Sequence, residues 1–164
     1  MTQSTDRIEK QAVLAAPPAR VWEAISNSAE FGTWFGVTFD GPFAEGQPLF
    51  GRITPTRIDD VVAKAQEPYS GAVFEIVVER VEPKQLFSFR WHPFAIDPNF
   101  DYSAEPMTLV TFAIAEQNGG TRLTVTETGF DQLIEARRAK TREMNDHGWA
   151  AQMMLITKYL ATHA

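Results

Sequence analysis

Residues 121–133 read TRLTVTETGFDQL. Leu123, Val125 and Glu127 are two apart, so in a strand they share one face. Arg122, Thr124, Thr126 and Thr128 form the opposite, polar row, which makes the Leu/Val side the core side. A carboxylate, Glu127, therefore ends an apolar row. The alternation predicts a strand over Thr121–Thr128, broken by Gly129. Asn118-Gly119-Gly120 before it is a hairpin turn, and Met107–Glu116 is the partner strand, with Val110, Phe112 and Ile114 aligned. Past the break, Asp131 to Ala164 reads as helix. Trp149, Met153, Ile156 and Leu160 fall at i, i+4, i+7 and i+11, an apolar stripe, with Gly148 placed to let the helix bend or lie close to the sheet.

Upstream, Ala72–Val81 alternates, with Phe74, Ile76 and Val78 on one face and Glu75, Val77 and Glu79 on the other. Glu82-Pro83-Lys84 is a turn. Gln85–His92 follows, with Phe87, Phe89 and Trp91 on one face, and Pro93 ends it. A loop rich in Phe, Pro and Asp then runs to Pro106. Nearer the N-terminus, Arg7–Ala15 reads as a strand, and Pro17-Pro18 suits the start of a helix carrying Val21, Trp22 and Ile25. Ser28 is the expected N-cap of a second short helix, AEFGTWF. Gly36–Asp40 and Pro48–Thr54 are further strand candidates, and Thr56–Tyr69 reads as a loop or an irregular strand. The order predicts an α+β chain of one domain over residues 1–164: a strand, two short helices, about six antiparallel strands and a long C-terminal helix. Most of that helix's apolar stripe can be buried only against the sheet.

Composition narrows the function. The chain has 164 residues, 12 Phe, 4 Trp and 3 Tyr, a net charge of −6 and no cysteine. A cysteine nucleophile, disulfides and thiolate metal sites are excluded. The acidic balance argues against a nucleic-acid partner. No apolar run approaches the roughly 20 residues of a membrane span, and the polar start, MTQSTDRIEKQ, lacks a signal peptide's apolar core. A soluble, cytoplasmic protein is the expectation. There is no GxSxG, P-loop or GxGxxG pattern, and the three scattered histidines give a metal no support, so neither cofactor nor metal is expected.

Four stretches, taken in order, resemble a known family: APPARVWEAIS, AEFGTWFG, VERVEPKQLFSFRW, and TRLTVTETGF followed by HGWAAQMMLITKYL. They are similar to the START-like (SRPBCC) superfamily, and within it to the AHSA-like branch, related to the C-terminal domain of the activator of the heat-shock protein ninety ATPase. The resemblance implies a helix-grip fold, a sheet of six or seven strands wrapped on the last helix, with a deep cavity between the two. It implies no single activity. The longer Thr56–Tyr69 and Phe94–Pro106 stretches depart from the family pattern and bear on pocket shape.

An aromatic-walled cavity is the expected site, lined by Trp34, Phe35, Phe87, Phe89, Trp91 and Phe112, with Trp149 and Met153 from the helix. Glu127 would stand at its mouth, where a desolvated carboxylate suits a ligand anchor or a general base. Its plain structural reading is a partner for Arg or Lys, or a cap on nearby backbone. His92 by alternation lies opposite Trp91 and reads as a surface or loop residue; His147 reads as facing away from the sheet. Asp59-Asp60 reads as solvated loop, and Arg90 and Arg122 as solvated. The leading functional expectation is binding of an apolar or aromatic small molecule. A cyclase, dehydratase or hydrolase in the same cavity is the first alternative, and a chaperone-modulating or other protein-interaction domain the second, the chain being a monomer or homodimer.

Overall fold

The computed structural model describes residues 6–93, 95 and 99–163. The 121–133 stretch folds as its alternation dictates. β7 (Gly120–Thr128) pairs antiparallel with β6 (Thr108–Gln117) through a two-residue turn, Asn118-Gly119, whose φ values of 50° and 81° are the left-handed pair that matches strand twist. Gly129, at φ 107°, turns the chain off the sheet beside the Thr108 backbone.

Around this hairpin lie β1 (Arg7–Leu14), β2 (Val37–Phe39), β3 (Pro48–Ile53), β4 (Val73–Glu82) and β5 (Leu86–Trp91). The seven strands form one sheet in the order β1-β7-β6-β5-β4-β3-β2, with every pair antiparallel. A bulge in β4 between Val78 and Arg80 places both Val78 and Val81 opposite inward rings, Phe89 and Phe87. The helices are α1 (Pro18–Ser26), α2 (Ser28–Phe35), α3 (Asp60–Gln66) and α4 (Glu135–Thr162). α4 packs on β1 and α2, and its predicted stripe of Trp149, Met153, Ile156 and Leu160 is buried. Seven strands wrapped on one long helix make the helix-grip fold. No helix among the described residues is long and apolar enough to cross a membrane.

Local chemistry moves several boundaries. Asn27, not Ser28, caps α2: its Oδ1 accepts from the backbone N–H of Ala29 and Glu30 at 3.0 and 3.1 Å, and Ser28 is the first helical residue. The Thr56–Tyr69 stretch is neither loop nor strand but α3 followed by a 3-10 turn over Glu67–Tyr69. Asp59 nucleates it, accepting from Val61 and Val62 N–H at 3.0 Å each and pairing with Lys158 of α4 at 2.7 Å. α3 buries no residue and leaves Val61 79% exposed, so it carries no apolar stripe to read. Residues 130–132 are a 3-10 turn, and α4 begins only at Glu135. Gly148 is not needed for close approach, since a Cβ there would meet no atom within 4 Å.

The interior is dense with rings. Phe31 of α2 lies 4.8–6.4 Å, centroid to centroid, from Trp34, Phe35, Phe39, Phe43, Phe87, Phe89 and Phe112. It locks the helical hairpin onto the middle of the sheet. Phe31→Ala therefore removes the hub of this cluster and lowers the unfolding free energy by about 4 kcal/mol, measured by urea denaturation. A loss under about 1 kcal/mol would show that the cluster collapses to fill the space.

Candidate functional site

Glu127 sits on the inner face of β7, flanked by Ile8 of β1 and Val110 of β6, and is 0% exposed. The same sheet end brings Thr108 of β6 and Trp91 of β5 opposite one another. α4 crosses this end with Asn145 and Trp149 one turn apart on the facing side. All four side chains donate to the carboxylate. Oε1 accepts from Trp149 Nε1 at 2.8 Å and Asn145 Nδ2 at 2.9 Å; Oε2 accepts from Trp91 Nε1 at 2.8 Å and Thr108 Oγ1 at 2.5 Å. Indole and amide N–H groups only donate, and an ionised carboxylate only accepts, so the set is complementary. No Lys, Arg or His among the described residues forms an ion pair with Glu127. The carboxylate is therefore neither paired to a cation nor turned to solvent; it is a four-way tie between three strands and α4.

The residues expected to wall the cavity divide into two groups. Trp34, Phe87, Phe89, Phe112 and Met153 are buried in the interior and line none of the three openings that follow. Phe35, Trp91 and Trp149 lie where the sheet and α4 part. Their centroids are 5.8–6.2 Å from one another, and they border open space. A cleft of about 270 Å³ runs from Phe35 and Trp91 past Phe74 and His92 to Met144 and Asn145, with Gln66, Tyr69, Ala72 and Val73 at its other side. A notch of about 80 Å³ adjoins it, lined by Phe35, Trp91, Asn145, Gly148, Trp149 and Gln152. A separate, more polar groove of about 480 Å³ lies between α2 and β2, bordered by Thr33, Thr38, Asp40 and Arg57.

Hydrogen bonds fix the orientation of the polar lining. Asn145 gives its amide nitrogen to Glu127, which turns its Oδ1 away from the carboxylate. Gln66 accepts from Thr56 N–H at 2.8 Å and donates to the Phe35 carbonyl at 2.9 Å, binding α3 to the end of α2. The Phe35 carbonyl also accepts from Gln152 Nε2 at 3.1 Å. Glu105 accepts from Arg137 Nε at 2.9 Å and Ile134 N–H at 3.2 Å, and the Arg137 guanidinium lies 4.7 Å from the Tyr102 ring centroid, anchoring the segment after β5 to the start of α4. His92 is the first residue past β5, so it is a loop residue, but only half-buried, and its Nδ1 is enclosed without a partner. Burial holds the ring below its usual value, against the opposing pull of Glu105 and Glu75.

Sequence reasoning did not find Phe74, Met144, Asn145 or Gln152 as site residues. The signal was the helical offset: Asn145 and Gln152 stand at i−4 and i+3 from Trp149, beside the apolar stripe. Gln66 and Tyr69 were hidden because α3 and the 3-10 turn after it, which carry them, have no periodic pattern. Asp59-Asp60, expected as solvated loop, instead starts that helix. No group of acidic or histidine side chains able to hold a metal occurs among the described residues.

Residues 15–161 match the Activator of Hsp90 ATPase homolog 1-like protein family. The chain belongs to that family. No curated protein matches it. Among solved structures, a protein from Arthrobacter aurescens superposes with TM-score 0.73 at 16% identity, over 99% of this chain and 91% of its own. MLL2253 from Mesorhizobium loti gives 0.69 at 20% identity, over 96% and 98%. DynU16, from the dynemicin biosynthetic locus, gives 0.67 at 22% identity over 96% of this chain, which spans only 48% of DynU16. At these identities the likeness is one of fold.

Two outcomes follow from the site's chemistry. Glu127→Gln replaces an acceptor oxygen with an amide NH₂ facing obligate donors, and lowers the unfolding free energy by about 3 kcal/mol in urea denaturation. A loss below about 0.5 kcal/mol would mean that the four bonds are dispensable. His92, with its folded value lowered, contributes stability that is full above its ordinary value of 6.5 and is lost as pH falls below it. His92→Gln therefore flattens the fall in Tm between about pH 7 and pH 5.5 relative to wild type. Parallel Tm curves for the two proteins would contradict this.

Proposed function

We propose that this protein binds an apolar or aromatic small molecule in the cleft between β4, β5 and α4. Trp91 carries the reading. Its indole is held at the N–H by Glu127, and its ring borders both the cleft and the notch. A wall fixed before the ligand arrives spares the cost of ordering it on binding. Phe74 adds a second ring, and Met144, 41% exposed at the rim, adds a flexible, polarisable contact. The volume of about 270 Å³ suits a molecule of one or two rings.

Catalysis by Glu127 is the weaker reading. A general base needs a free lone pair within reach of the proton it removes, and the four acceptor sites of this carboxylate are occupied. Glu127 acts through Trp91 and Asn145 as a positioning residue. The family description names an ATPase activator; a ring-lined cleft supports a small-molecule ligand ahead of a protein partner.

Thermal shift over a library of one- and two-ring aromatics tests the proposal. A ligand at about 100 times its Kd stabilises the fold by about 2.7 kcal/mol, a rise in Tm of several degrees. Ala72→Trp, at an exposed position on the cleft wall, fills the space and removes the rise. The proposal fails if no library member raises Tm, or if the same rise persists in Ala72→Trp.

A further inference from the structure

Resting on the cleft as the binding site, we propose that the notch beside Gly148 is a subsite for the ammonium group of an arylalkylamine or alkylamine whose apolar part lies in the cleft. The notch and the cleft share Phe35, Trp91 and Asn145, so one molecule can span both. Three independent features select the head group.

The first is hydrogen-bonding polarity. Asn145 gives one amide N–H to Glu127, and Gln152 gives one to the Phe35 carbonyl. The Gln152 Oε1 is buried without a partner. That orphaned oxygen, beside an Asn145 oxygen turned away from the carboxylate, calls for a donor-rich group. The second is the ring set. Phe35, Trp91 and Trp149 pack 5.8–6.2 Å apart, centroid to centroid, and all three border the notch. A cation over the face of such a ring, within about 6 Å of its centroid, is attracted by the ring's quadrupole. Both indoles donate to a carboxylate, which enriches the electron density of their rings. The third is charge. Glu127 is fully buried and balanced by hydrogen bonds alone among the described residues, so a cation against its two indoles and Asn145 adds Coulombic attraction.

Gly148 keeps the notch open. A Cβ built there meets nothing within 4 Å, so a methyl group at 148 enters that space without displacing protein atoms. Replacing a mid-helix glycine also favours the helix. That separates loss of the subsite from loss of the fold.

The test titrates intrinsic tryptophan fluorescence with three probes of one shape: 2-phenylethylamine, 2-phenylethanol and 3-phenylpropanoate. In wild type the ammonium binds roughly tenfold tighter than the alcohol, and the carboxylate binds weakest. In Gly148→Ala and Gly148→Leu the amine falls to the affinity of the alcohol, the alcohol is unchanged, and Tm does not drop. Equal affinities of amine and alcohol in wild type overturn the subsite and leave the cleft standing. So does an amine preference that survives Gly148→Leu. Absence of binding by all three overturns subsite and cleft together.

Discussion

A buried carboxylate has to be satisfied where it lies, and at Glu127 that requirement organises one end of the molecule. Burying it without compensation would cost several kcal/mol. Compensation comes from Trp91, Thr108, Asn145 and Trp149, on two neighbouring strands and the long helix. A network of this kind specifies geometry as well as energy, because each donor has one workable orientation. The indole of Trp91 cannot swing, the amide of Asn145 cannot flip, and α4 cannot slide along the sheet without breaking a charge-assisted bond. The crossing of helix and sheet is thereby fixed where the two begin to part.

The other end of the interior is held by apolar packing. Phe31 and the rings around it fill the space between α2 and the centre of the sheet, so the helix-grip fold here does not enclose a large central chamber. Open volume is displaced toward Trp91, Phe74 and Met144, at the edge where α3 and α4 flank β4. Function is argued from that edge. A rigid indole wall, a flexible rim and a few oriented amides are the parts of a small-molecule site, and the same carboxylate that secures the fold orients two of them.

Much of the fold was legible because its signals are periodic. The two-residue alternation of β4 to β7 and the stripe Trp149, Met153, Ile156, Leu160 report burial directly, and the order of elements then leaves little freedom. α3 was not legible: it buries no residue fully, and an aspartate cap, an ion pair to Lys158 and the Gln66 amide hold it in place. Ser28 was mistaken for a cap because Asn27 and Ser28 are both competent, and only backbone dihedrals decide between them. Glu127 announced itself by breaking an apolar row, yet its partners did not. They come from three other elements, and no local pattern links a strand-end carboxylate to an asparagine on a helix. The same is true of the cleft. Residues on an apolar face all look alike in sequence, and which of them border open space is set by where sheet and helix diverge.

Indole hydrogen exchange, followed by ¹H–¹⁵N spectra of the four tryptophans, tests the carboxylate tie most directly. Trp22, half-buried and with no hydrogen bond from its Nε1 among the described residues, serves as the internal reference. The account predicts that the Trp91 and Trp149 indole protons lie downfield of Trp22 and exchange orders of magnitude more slowly, as buried bonds to a carboxylate require. Exchange of either at the rate of Trp22 would show that the tie is not formed.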